Sequence, residues 1–159
     1  MEFGALCKAA QEAIEEFTGQ YQAQWLAGMR AKLGLIDTYP EDEALIDELL
    51  SLMQQSQVDY TNTFRALTLG EELGPKFQHW HARWQERQPD QALMRRHNPA
   101  VIPRNHRVEE VLAAAEQGDF SKMERFFNML SKPYAYTPEQ EEYAQMPVPS
   151  CSYQMFCGT

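Results

Sequence analysis

LCKAAQEAIEEFTGQYQAQWLAGMRAKL, residues 6–33, decides the fold class. Leu6, Ala10, Ile14, Phe17, Tyr21, Trp25, Met29 and Leu33 recur there at steps of three and four. That is the period at which helical side chains return to one face. A strand would alternate every second residue, and no stretch of the chain does so convincingly. Gly34 follows the last periodic position and supplies a stop. Gly19 costs about 1 kcal/mol relative to Ala inside a helix and marks a place for a kink.

The same reading extends downstream. A second helix is expected from near Pro40, with Glu41, Asp42 and Glu43 at its positive end and Leu45, Ile46, Leu49, Leu50 and Met53 on its buried face. Asp59 caps a third over residues 60–67, and the chain breaks between Gly70 and Gly74. Pro75 opens a fourth, with Phe77, Trp80, His81 and Trp84 on one face, and Pro89 interrupts it. A short helix follows over residues 91–97. Asn98-Pro99 and Ile102-Pro103 force extended backbone, so residues 98–104 read as a connecting loop. Helices are expected over residues 107–117 and 122–130, separated by Gly118 and a capping box, Ser121 to Glu124. Thr137-Pro138-Glu139-Gln140 starts the last one, which ends before Pro147. The fold class is therefore all-α, seven or eight helices in an irregular bundle. Residues 1–146 form the helical region and residues 147–159 a flexible, cysteine-bearing tail.

A chain of 159 residues is one domain's worth. A net charge of −9 and a pI near 4.9 argue against nucleic acid and anionic membrane as partners. No apolar run approaches the ~20 residues of a membrane span. No basic leader or apolar h-region precedes the first helix, so no signal peptide is expected. Three cysteines without framework spacing fit a reducing, cytoplasmic compartment.

The charged and reactive groups each have a structural and a functional reading. Lys76 follows Gly70 and Gly74 without a preceding strand, which is not a phosphate loop. Gly118-Asp119-Phe120 scrambles the letters of a kinase metal motif and reads as turn chemistry. His79 and His81 lie two apart on a helix, about 200° around it, and cannot share one ion without a third element. No catalytic, cofactor-binding or metal residue is assigned. Residues 91–108 contain no acid and carry Arg95, Arg96, His97, Arg104, His106 and Arg107. This surface either meets phosphate or an acidic partner, or pairs with local acids such as Asp90 and Glu109. Asn105 reads as a cap for the helix that follows. Cys157 either docks with Phe156 as a small apolar plug or is a mobile, reactive thiol. Cys7, near the apolar side of the first helix, reads as inert.

Five blocks carry a resemblance: residues 28–35 (GMRAKLGL), 59–67 (DYTNTFRAL), 98–106 (NPAVIPRNH), 133–143 (PYAYTPEQEEY) and the tail, residues 147–159 (PVPSCSYQMFCGT). In this order they resemble the C-terminal end of the selenoprotein O family, pseudokinase-fold enzymes that transfer AMP to protein hydroxyls. Family members are much longer, so the chain looks like their C-terminal part only. The resemblance implies that the full-length protein uses ATP and Mg to modify Ser, Thr or Tyr of protein substrates. It places the nucleotide and metal residues upstream, so no cofactor is expected within this chain. It implies a missing N-terminal pseudokinase portion as partner, braced by the loop bearing Arg95, Arg96, Arg104, Asn105, His106 and Arg107. Cys157 stands where eukaryotic members carry selenocysteine, which implies a redox role; Cys151 is a second candidate, five residues from it in between. The alternative reading is a standalone helical module that binds a protein partner without enzymatic activity.

Overall fold

The computed structural model describes the backbone of residues 2–147 and the side chains of residues 7–147. Of the expected tail, only Pro147 is among them; Cys151 and Cys157 lie outside the described residues. The described residues form an all-α assembly: α1 (Glu2–Lys32), α2 (Asp42–Ser56), α3 (Tyr60–Leu69), α4 (Gln78–Glu86), α5 (Gln91–His97), α6 (Asn105–Glu116), α7 (Ser121–Leu130) and α8 (Pro138–Ala144). A single 3-10 turn, Pro75–Phe77, leads into α4.

Three starts differ from the sequence expectation, each for a local reason. α2 begins at Asp42, not Pro40, because the Asp42 carboxylate accepts the Tyr39 N–H at 3.0 Å and closes the preceding turn. α6 begins at Asn105, so Asn105 is the first helical residue and Arg104 stands at the cap position without a side-chain cap bond. The capping box at Ser121 does not form. Asp119 accepts from the Ser121 N–H at 3.0 Å and its hydroxyl at 2.6 Å, leaving Phe120 at the cap. The box at Thr137 and Gln140 does form, with both reciprocal bonds present.

The larger core gathers Met29 of α1, Leu33 of the turn after it, Leu45, Ile46, Leu49 and Met53 of α2, Phe64 and Leu67 of α3, Phe77, Trp80 and Trp84, and Met94 of α5. The two indoles stack with centroids 5.7 Å apart. Buried indole N–H groups need acceptors. Trp80 donates to the Leu45 carbonyl of α2 at 2.8 Å and Trp84 to the Leu33 carbonyl of the turn after α1 at 2.9 Å. Gly34 (φ 69°) turns the chain so tightly against Asp90 that a Cβ would lie 2.7 Å from its nitrogen. Only glycine fits that approach. A smaller core, Val101, Val111, Phe126 and Met129, joins α6 and α7, with Tyr143 of α8 against it.

The apolar stripe of α1 divides into two parts. Met29 and Leu33 are buried, yet Ile14, Phe17 and Tyr21 are 64%, 65% and 61% exposed. Every residue from 7 to 24 is exposed, Cys7 included, so burial is not what would keep that thiol inert.

Candidate functional site

The basic loop after α5 is built around Asn98, which is fully buried. Its amide donates to the Lys32 carbonyl at 2.7 Å and to the Thr68 hydroxyl at 2.9 Å, and accepts from Lys32 Nζ at 3.1 Å. Lys32 also lies 4.9 Å from the Phe64 ring centroid and 5.5 Å from that of Tyr60. Burial pushes the Lys32 ammonium below its ordinary pKa and the Tyr60 hydroxyl above its own. The Tyr136 hydroxyl donates to the Asn98 carbonyl at 2.8 Å, and Arg95 stacks over that same ring at 4.7 Å.

Arg104 is turned inward. Its guanidinium grips Asp59 through two bonds, 2.7 and 3.1 Å, and reaches Asn62 Oδ1 at 3.0 Å and the Met146 sulfur at 2.9 Å. Asp59 also accepts the Asn62 N–H at 2.8 Å, capping α3 as the sequence predicts. The Arg104 bond holds the Asp59 carboxyl below its ordinary range; burial opposes this and the Asn62 bond adds to it. A fork-to-fork pair of this kind fixes geometry as well as charge. It ties the start of α6 to the start of α3, and Asn62 Nδ2 then binds the Ala144 carbonyl of α8 at 3.0 Å.

The remaining members of the basic stretch divide between packing and surface. Arg107 bonds Glu110 at 3.1 Å and the Glu142 carbonyl at 3.2 Å, and lies over Tyr143. The acids that meet this stretch are therefore Asp59 and Glu110, rather than the Asp90 and Glu109 named from the sequence. Asp90 instead caps α5. Arg95 and Arg96 are exposed. Asn105 and His106 line a cleft of about 350 Å³ with Ile102, Pro103, Arg104 and Met146. Burial, followed by the charge of Arg107, lowers the His106 pKa.

A second charged hub escaped the sequence reading. Asp42 is fully buried and accepts from Arg30 at 2.7 Å, from Arg87 and from the Tyr39 N–H. Burial opposes its ionisation, but the bonds from Arg87, Tyr39 and Arg30 outweigh it, and its carboxyl sits below the ordinary range. The acidic position at a helix start was legible; its two partners, 12 residues before and 45 after, were not.

Magnesium needs oxygen ligands with room for water and phosphate. The buried Asp42 and the partly buried Asp59 have their oxygens occupied by arginine. Among the described residues no group of three or more His, Cys, Asp or Glu side chains could hold a metal ion. The described residues do not fit that ion. His79 and His81 do not converge with a third ligand either; His81 packs on Trp84 instead.

The fold and its charged clusters define an all-α scaffold whose most conspicuous ions fasten its own helices together. Comparison with known proteins supplies the rest. The family model for "Protein adenylyltransferase SelO" matches residues 5–131, and the chain belongs to that family. It is 54% identical over 166 residues to the "Protein nucleotidyltransferase YdiU" of Geobacillus kaustophilus, an alignment covering 94% of this chain and 34% of that protein. The proteins of the same name from Brevibacillus brevis and Clostridium botulinum (strain Okra) are each 51% identical over 168 residues, covering 96% of this chain and 34% of theirs. The chain thus spans about a third of the length of the curated relatives it matches. No helix among the described residues is long and apolar enough to cross a membrane.

Proposed function

We propose that this chain is the C-terminal, non-catalytic helical part of a longer SelO-type protein adenylyltransferase, and that it supports the pseudokinase core. The whole protein would transfer AMP from Mg-ATP to Ser, Thr or Tyr of other proteins in the cytoplasm. The observation that carries this reading is that relatives named as nucleotidyltransferases align with nearly all of this chain and extend to about three times its length. The inward-turned charges favour a bracing part: Arg104, Asp59 and Asn62 fasten α3, α6 and α8, and Asp42 fastens α1, α2 and the turn after α4. Of the basic stretch, Arg96, His106 and Arg95, the last beside its contact with Tyr136, are proposed to face the core. Cys157, with Cys151 as second candidate, is proposed as a redox-responsive thiol on the strength of the sequence resemblance.

The test is AMP incorporation from α-labelled ATP into a protein acceptor. The isolated chain should transfer none. A chimera in which it replaces the matching third of the Geobacillus relative should transfer AMP. Incorporation by the isolated chain, or a folded chimera without activity, would overturn the reading.

A further inference from the structure

The free half of α1 is a feature that the chain's own packing leaves unexplained. Residues 7–24 are all exposed, about 27 Å of helix at 1.5 Å per residue. Helices of this length are marginal in water unless an apolar face is packed. The contacts that this half makes within itself are weak: Lys8–Glu12 at 3.8 Å and Gln11–Glu15 at 3.3 Å. Exposed pairs of this kind add little to a helix.

An apolar face is nevertheless present. Ile14, Phe17, Tyr21 and the half-buried Trp25 follow one another at steps of three and four, and Phe17 stacks on Tyr21 at 6.2 Å. Gly28 extends the same face, seven residues beyond Tyr21. Mid-helix glycine is unfavourable relative to Ala, yet a Cβ at Gly28 would meet nothing within 4 Å among the described residues. A glycine of no use to its own fold, in line with an uncovered apolar stripe, marks close approach by something else.

We infer that the face formed by Ile14, Phe17, Tyr21 and Gly28 is a docking surface for the part of the longer transferase that this chain does not span. The inference rests on the reading above that the chain is a part of such a protein, and it names the surface through which the parts meet. Two thirds of the relatives' length lies outside this chain, ample to cover one helix face. A second copy of the chain is the poorer occupant. The free half carries Glu12, Glu15 and Glu16 against Lys8, and the chain's net charge is −9, so paired copies would set like charges side by side. Apolar contact that closes over Gly28 at one end, with basic groups at its rim, is the chemistry expected of the partner surface.

Hydrogen exchange tests this directly. In the isolated chain, amides of residues 8–22 should exchange near the rate of an unstructured peptide; in the chimera with the Geobacillus relative they should be slowed at least a hundredfold. Phe17→Asp should leave the isolated chain's unfolding midpoint unchanged and Gly28→Leu should leave it unchanged or raise it, while each should lower that of the chimera. Equal exchange in chimera and isolated chain overturns the inference. So does protection in the isolated chain that rises with concentration, which would assign the face to a second copy. If the chimera does not fold, the same exchange measurement on the intact Geobacillus protein, over its segment matching residues 8–22, decides. An active chimera with an unprotected α1 would sink the docking surface alone; an inactive, protected one would sink the transferase reading alone.

Discussion

Replacing Asp42 by Asn removes one charge and almost no volume from the hub joining α1, α2 and the turn after α4. Asp42 is fully buried, while the Arg30 and Arg87 side chains each keep 19% of their surface. Removing one partner of a buried pair costs ~3–5 kcal/mol, because the other charge stays behind uncompensated. Here water reaches part of both guanidiniums, and Arg87 keeps the Asp37 carbonyl at 3.0 Å and the Tyr39 ring at 4.1 Å. The loss should therefore fall at the low end, about 3 kcal/mol, out of a total stability of ~5–15 kcal/mol. For a chain of this size that corresponds to a fall in Tm of about 6–12 °C. Urea unfolding followed by circular dichroism at pH 7 reads it. The pH dependence supplies a second check. Asp42 is held below its ordinary range, so its contribution is fully present above the unfolded value of about 3.9 and is lost as pH falls through the folded value. The gap between wild type and Asp42→Asn should narrow as the pH drops below about 4. A loss under about 1 kcal/mol at pH 7, or a gap indifferent to acid, would refute the claim that this carboxylate holds the three elements together.

Asn98→Ala should cost about 1–3 kcal/mol in the same assay, since it orphans the Lys32 carbonyl and removes the bond that the Thr68 hydroxyl accepts, leaving that hydroxyl only its donation to the Phe64 carbonyl at 2.7 Å. Gly34→Ala should destabilise by at least about 2 kcal/mol, combining a left-handed φ of 69° with a Cβ 2.7 Å from backbone nitrogen. Thr137→Ala should cost about 1 kcal/mol and speed amide exchange in the first turn of α8, where its hydroxyl accepts the Gln140 N–H at 3.3 Å. Unchanged exchange there would show that the cap does not hold that turn.

By itself the sequence determined the all-α class, the placing of most helices and several of their ends. Periodicity and capping act over three or four residues, so Asp59, Thr137 and Gly34 announce their roles locally. The buried Trp80 and Trp84 were legible for the same reason, as members of one helical face. The resemblance read from the ordered blocks agrees with the family that the chain belongs to. Only the tertiary structure decided which charges serve the fold. Arg104 meets Asp59 across 45 positions, and Asp42 meets Arg87 across another 45, separations that no local pattern encodes. It also divided one uniform apolar stripe into a buried end, Met29 and Leu33, and an exposed end, Ile14 to Tyr21. Periodicity states that a helix has an apolar face; whether anything covers that face depends on what chain lies beside it.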